Sequence, residues 1–300
     1  LSSSSAASDV YKRQVPMSEI LGKYFDTENI AYWMAFQLLT GNIDTQNRNV
    51  YLYSPTNSDT FYLLDWDNDG MLMRKEYEIR QRADGQSWEN GISNYWGNIL
   101  LRRCLQTKSF RTALDKAVND EYKYMSAGRI NSMVRQYRSI VEPYVQKMPD
   151  SMHEPLTSSQ YDTVADQLHS EIEQNYQTYQ TGFNKPMPFY IGKPTPANGK
   201  LRLNWDVAYD FNDEDLRYAV TVSKDYAGDD VVFSQRDVVL PEAVMDMPGE
   251  GQYFIKVSVS NASGYTQDAF DHYITDGNKI YGTKCFYVKA DGSIVEDANE

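Results

Sequence analysis

Residues 41–70 read GNIDTQNRNVYLYSPTNSDTFYLLDWDNDG, and they gather acidic and amide side chains at spacings that a metal-phosphate site requires. Asp44 and Asn49 are separated by four residues, and the β-branched and aromatic run 50–53 follows at once. Residues 54–59, SPTNSD, are turn formers, and 60–64 is a second strand-like run, so the pair predicts a hairpin. Such a hairpin brings the loop before its first strand near the loop after its second. It delivers Asp65, Asp67 and Asp69 at its far end and would place Asp44 and Asn49 close to Asp67. Crowded carboxylates repel, and a divalent cation relieves that repulsion.

The order of these groups parallels protein kinases, where D-x-x-x-x-N supplies a catalytic Asp and a metal-binding Asn, and a later Asp turn supplies another metal ligand. More specifically, YFDTENIAYWMAFQLLTGNIDTQNRNVYLY followed by FYLLDWDNDG resembles the CotH kinase family of spore-coat-type atypical kinases. The shared pattern is a helix, a G-N-x-D turn (Gly41 to Asp44), an N-x-Y-x-Y strand (Asn49 to Tyr53) and a W-D-x-D-G turn (Trp66 to Gly70). The resemblance runs, with falling specificity, from about Leu21 to Phe183. It implies Asp44 as catalytic Asp, Asn49 and Asp67 as groups holding ATP phosphates through Mg²⁺ or Mn²⁺, and Asp69 as a further metal group. It also implies a protein acceptor with Ser or Thr hydroxyls, and a secreted, cell-surface or spore-associated setting. A CotH-type kinase should carry a smaller lobe upstream, with a phosphate-contacting lysine and its acidic partner. Neither is expected in this sequence, so the chain as given is expected to be weak or inactive.

Three other readings stay open. Asp65, Asp67, Asp69 and, after five more residues, Glu76 fit the calcium-loop pattern D-x-D-x-D-G-x5-E, with apolar Leu72 at the eighth position. A structural Ca²⁺ site in a non-enzymatic surface module is therefore the alternative, although an EF-hand needs a helix where 60–64 reads as a strand. A solvated acidic turn, or a pseudokinase scaffold, completes the set.

At 300 residues the chain has room for two domains. Its net charge of -13 argues against nucleic acid or an anionic membrane as main partner. Cys104 and Cys285 lie far apart, which predicts free thiols. No apolar run is long enough to span a membrane, and the sequence does not reveal an oligomeric state. His153, His169 and His272 are scattered, and no phosphate loop, nucleophile elbow or H-E-x-x-H occurs, so carboxylate-plus-metal chemistry is what the residues permit.

Residues 1–14, LSSSSAASDVYKRQ, read as an assembly scar: DVYKRQ is what the end of a sequencing-library adapter would encode. Residues 15–185 are expected to form the catalytic lobe, mostly α with the hairpin at its site. Asp26 is the predicted N-cap of its first helix, Ile30, Met34 and Leu38 share a face, and Gly41 ends it. Residues 71–91 are mixed in charge and read as a solvated loop or helix face, with Arg74, Lys75, Arg80 and Arg82 as its cations. Helices are expected from about 95, around Phe110 to Val118, from Ile130 to near Pro143, and over 162–183. Past Lys185 to Pro188 the pattern alternates, with Trp205 and Tyr253 as core or corner residues, predicting an antiparallel sandwich of about 100 residues. It resembles, loosely, a fibronectin type III domain over 186–290, followed by a polar tail, 291–300. The fold class expected is α+β: a kinase-like large lobe followed by an all-β sandwich.

Overall fold

The computed structural model describes residues 15–297; the adapter-like segment 1–14 lies outside the described residues. A mixed α/β region is followed by a mostly β region, an α+β protein. Two compact units divide the chain. One takes residues up to Met73 together with Gly97–Tyr176, and the other takes Arg74–Trp96 together with Gln177 onward.

In the first unit α1 spans Thr27–Thr40, capped by the Asp26 carboxylate accepting from Asn29 N–H at 2.8 Å. Gly41 ends it in the left-handed region at φ 63°. A side chain there would also collide with Asn175, whose amide stands 2.7 Å from where a Cβ would sit and donates to Leu39 O. Ile30, Met34 and Leu38 are buried as expected, but so are Ala31, Trp33, Ala35 and Leu39. The helix is therefore enclosed on most of its circumference rather than on one stripe.

Strands β1 (Tyr51–Tyr53) and β2 (Tyr62–Leu64) pair antiparallel, with Tyr51 opposite Leu64 and Tyr53 opposite Tyr62. Helix α2 (Arg74–Ile79) follows the acidic turn. Asn98 caps α3 (Ile99–Gln106) by accepting from Leu100 and Leu101 N–H. The residues before it, Gly91–Tyr95, form a 3₁₀ turn, so the helix expected from 95 begins at 99. Helix α4 (Lys108–Tyr124) buries Phe110, Leu114, Ala117 and Val118 and packs along α1. Helix α5 (Ala127–Val145) continues through Pro143 for its last residues and has no buried residue. Helix α6 (Ser158–Gly182) leads into the second unit.

That second unit holds β3 (Thr195–Ala197), β4 (Lys200–Asn204) and β7 (Glu242–Asp246) in a three-stranded sheet of order β3-β4-β7. A larger sheet has the order β13-β12-β8-β5-β6, with β9 also on β8. Its strands are β5 (Leu216–Ser223), β6 (Val231–Val238), β8 (Gly251–Asn261), β9 (Thr266–Asp268), β12 (Thr283–Val288) and β13 (Ile294–Glu296). Strands β10 (His272–Thr275) and β11 (Asn278–Tyr281) make a separate hairpin. One apolar cluster draws on both main sheets, with Leu201, Leu203 and Met245 from the smaller and Val220, Ile255, Val257 and Phe286 from the larger. Trp205 and Tyr253 belong to it, and Tyr253 donates its hydroxyl to Gly249 O at 3.0 Å. The stretch read as a polar tail carries β13, where Val295 pairs opposite Tyr287.

Residues 83–89 depart from the solvated reading. Trp88 is buried edge-on against Phe270 and Tyr281, and Ser87 donates to Asp268 at 2.7 Å. Buried Glu89 accepts from Lys279 Nζ at 2.7 Å and from the Tyr281 hydroxyl at 2.8 Å, while Lys279 also reaches Asp84 at 2.9 Å. The basic residues of the segment are engaged locally: Lys75 with Glu78, Arg80 with Glu76 and Arg82 with Asp84. Cys104 and Cys285 are both free and buried.

Breaking a buried pair leaves an uncompensated charge, costing about 3–5 kcal/mol, less where one partner is partly exposed as Lys279 is. Lys279→Met is therefore expected to lower the unfolding free energy, measured by denaturant titration, by the lower part of that range. Burial alone would raise the Asp84 pKa, yet Lys279 and Arg82 hold it below its ordinary value. Its contribution is thus present above the unfolded pKa of about 3.9 and lost as pH falls through the lower folded value. Acid titration of stability in parent and Lys279→Met should show a shallower acid limb in the variant.

Candidate functional site

The site is assembled at the end of α1. Asn29, one turn into that helix, forms a reciprocal pair with β2: its Nδ2 donates to Leu63 O at 3.1 Å, and Leu63 N–H donates to its Oδ1 at 2.7 Å. A side-chain amide here stands in for a neighbouring strand and ties the hairpin to the helix. The Trp66 ring lies 5.0 Å from that of Tyr51. Beyond β2, the turn 65–70 returns to the last turn of α1. Gln37, fully buried, donates its Nε2 to Asp65 Oδ1 at 3.0 Å and to Asn68 Oδ1 at 3.1 Å. Asn42, also buried, donates to the same Asn68 oxygen at 3.2 Å, and its own Oδ1 accepts the Asp44 N–H at 3.2 Å. Leu72 N–H closes the turn onto Thr40 O at 2.8 Å.

Gly70 is required by proximity. A Cβ on it would stand 3.0 Å from Asn42 Oδ1 and 3.5 Å from the Asp44 Cβ. The G-N-x-D turn and the W-D-x-D-G turn are therefore in contact. Asp44 Oδ2 accepts from Asn49 Nδ2 at 3.1 Å, with Asn49 in the left-handed region at φ 55°. Asp67 is left-handed too, at φ 52° and ψ 60°, a conformation that costs a non-glycine residue of order 1–3 kcal/mol and persists where surroundings enforce it. The carboxylates of Asp67 and Asp69 are exposed and have no hydrogen-bond or ion-pair partner among the described residues.

Asp44, Asn49, Asp65, Asp67 and Asp69 thus lie on two touching turns. Glu76, the twelfth position of the calcium-loop pattern, is in α2, where its carboxylate pairs with Arg80 at 2.8 Å; the residues entering the loop are the strand β2, not a helix. Among the described residues no three His, Cys, Asp or Glu side chains form a group that could hold an ion by themselves. A hard divalent cation nevertheless fits the donor chemistry. Unpartnered carboxylates at Asp67 and Asp69, and an Asn49 amide whose nitrogen is spent on Asp44, offer oxygen ligands. Mg²⁺ is ordinarily held by one or two carboxylates and completed by substrate phosphates and water.

Several functional-looking groups are absent from the sequence reading. Gln37 sits in an apolar helical run, and its only sequence signal is an amide at a position whose neighbours are all core. Glu121, on the last turns of α4, has Oε2 buried without a partner among the described residues. Burial, then the nearby Asp65 charge, push its pKa up to about 8. Partial burial also raises Asp65, offset in part by the Gln37 amide.

A carboxyl whose folded pKa exceeds its unfolded one stays protonated at a cost that grows as pH rises between the two values, from about 4.3 to about 8. Glu121→Gln removes that cost. It is expected to raise the melting temperature, by more at pH 8 than at pH 5, and equal shifts at both pH values would refute the assignment.

Among the described residues no helix is long and apolar enough to cross a membrane. A comparison with curated proteins returns no match. A family model described as CotH kinase protein matches residues 5–179, more than half of the chain. The turns just described, Gly41 to Asp44 and Trp66 to Gly70, fall inside that match, and the chain belongs to the CotH kinase family.

Proposed function

We propose that this chain carries the catalytic turns of a metal-dependent phosphotransferase that moves the γ-phosphoryl group of ATP to a Ser or Thr hydroxyl of a protein. The observation that supports this most directly is the contact between the two turns. Asp44, held by Asn49, lies beside Gly70, and the same turn presents Asp67 and Asp69 without partners. A catalytic Asp next to a metal-binding Asp is the arrangement phosphoryl transfer uses, because positioning and charge stabilisation do most of the catalysis.

In this reading Asp44 orients the acceptor hydroxyl and takes its proton as the new O–P bond forms and the bond to ADP breaks. Asn49 donates to Asp44 Oδ2, which would leave the other carboxylate oxygen for the acceptor, and its own Oδ1 would be an oxygen ligand for the cation. Asp67, with Asp69 beside it, would hold Mg²⁺ or Mn²⁺. When bound, the cation neutralises charge on the phosphate oxygens. A secreted or spore-surface setting is carried over from the family. The strand orders β3-β4-β7 and β12-β8-β5-β6, closed over one core that includes Trp205 and Tyr253, support a fibronectin type III-like accessory domain.

The strand before the acidic turn, and the Glu76–Arg80 pair, favour this reading over a calcium loop. The test is transfer of labelled phosphate from ATP with Mg²⁺ or Mn²⁺, using the chain and versions extended upstream, with autophosphorylation and a Ser-rich acceptor scored. Asp44→Ala and Asp67→Ala are each expected to lower transfer by about 10²-fold or more, and Glu76→Ala by less than about 3-fold. Loss in Glu76→Ala alone, together with a melting temperature raised by Ca²⁺ and not by nucleotide, would replace the kinase with a calcium-stabilised module.

A further inference from the structure

We propose that Gln37 is the positioning residue of this site: its buried amide sets the turn 65–70 against the end of α1 and so aims Asp67 at the cation. This inference rests on the phosphotransferase reading and concerns a residue outside both motif turns.

The geometry has four parts. Gln37 has no exposure to water, so no solvent competes for its amide hydrogens. Both of its donor bonds go to one turn, to Asp65 Oδ1 and to Asn68 Oδ1, which bracket Trp66 and Asp67. The acceptor at Asp65 dictates which end of the Gln37 amide points at the turn. As a result Gln37 Oε1 is left buried with no partner among the described residues. Buried acceptors are normally satisfied, and one left unpaired so that its amide can make two donor bonds points to a role for those bonds. Asp67 itself sits in left-handed backbone with a carboxylate that has no hydrogen-bond or ion-pair partner among the described residues. Its direction is therefore inherited from the backbone of the turn, which Gln37 and Asn42 pin through Asn68.

A glutamine meets this requirement and its analogues do not. Leucine has no donor. Glutamate has the same length, but sets a carboxylate against Asp65, and like charges in contact push apart. The repulsion with Asp65 is reversible by exchange: in Gln37→Glu/Asp65→Asn the amide stands on the turn and the carboxylate on the helix, and the bond to position 65 forms with donor and acceptor swapped, while the bond to Asn68 is not restored.

The experiment titrates Mn²⁺ alone, by its paramagnetic resonance signal, against the parent, Asp67→Ala, Gln37→Leu, Gln37→Glu and the double variant. Melting temperature and transfer from ATP are recorded on the same samples. The parent is expected to bind Mn²⁺ in a manner lost in Asp67→Ala. Gln37→Leu should weaken Mn²⁺ binding about tenfold and Gln37→Glu more, and the double variant should recover part of the loss, binding at least about threefold more tightly than Gln37→Glu. Single variants that are folded and bind Mn²⁺ within twofold of the parent would overturn the proposal. So would a double variant no better than Gln37→Glu, because a purely structural role predicts loss without recovery of metal affinity. Mn²⁺ binding with the expected variant pattern but no transfer, even on upstream extension, would overturn the phosphotransferase reading and leave the role of Gln37 standing. A parent that binds no Mn²⁺ would overturn both.

Discussion

The arrangement depends on a small set of buried and half-buried amides that replace regular secondary structure where the chain cannot form it. Strands β1 and β2 are short and largely exposed, so their own pairing and packing hold them weakly. The turn after them carries carboxylates that would repel one another. What fixes both is α1, itself enclosed in the core, through Asn29 on Leu63, Gln37 on Asp65 and Asn68, and Asn42 on Asn68 and Asp44. The amides of Gln37 and Asn42 are withdrawn from solvent, which lessens competition for their bonds, and the end of the helix passes its position to an acidic turn that could not hold itself.

The same logic explains why the acidic residues near the site behave differently from one another. Asp67 and Asp69 face water and remain available for a cation. Asp65 is spent on Gln37, and Glu121, buried without a partner, keeps its proton to well above the ordinary carboxylate range. Burial and donor count, more than the identity of the side chain, sort these carboxyl groups into solvent-facing, anchoring and neutral acids.

In the second unit a segment that follows the acidic turn in sequence is organised by strands far downstream. Glu89 meets Lys279 and Tyr281, and Trp88 packs edge-on against Phe270. The β-rich region is thus more than a separately closed sandwich, since part of its covering comes from residues 74–96. Its core obeys strand alternation, as in β4, where Leu201 and Leu203 face inward and Lys200 and Arg202 outward.

The amino-acid sequence by itself determined what depends on neighbours along the chain: the Asp26 cap and Gly41 stop of α1, the hairpin over 51–64, the alternation of the later strands, and the two motif turns by which the family is recognised. Those signals are local, set by spacing and backbone preference. Only the tertiary structure decided that Gln37, in the middle of an apolar run, turns its amide onto Asp65 and Asn68, that Glu121 lies near Asp65, and that Trp88 and Glu89, in a stretch of mixed charge, are buried. It also decided that α5, patterned like a core helix at Ile130, Val134, Tyr137 and Val141, buries none of its residues. Hydrophobic period states which face a helix can bury; whether another element arrives to cover it depends on packing among residues far apart in the chain. The same holds for a buried polar group, whose partner is chosen by the fold and leaves no mark at a fixed spacing in the sequence.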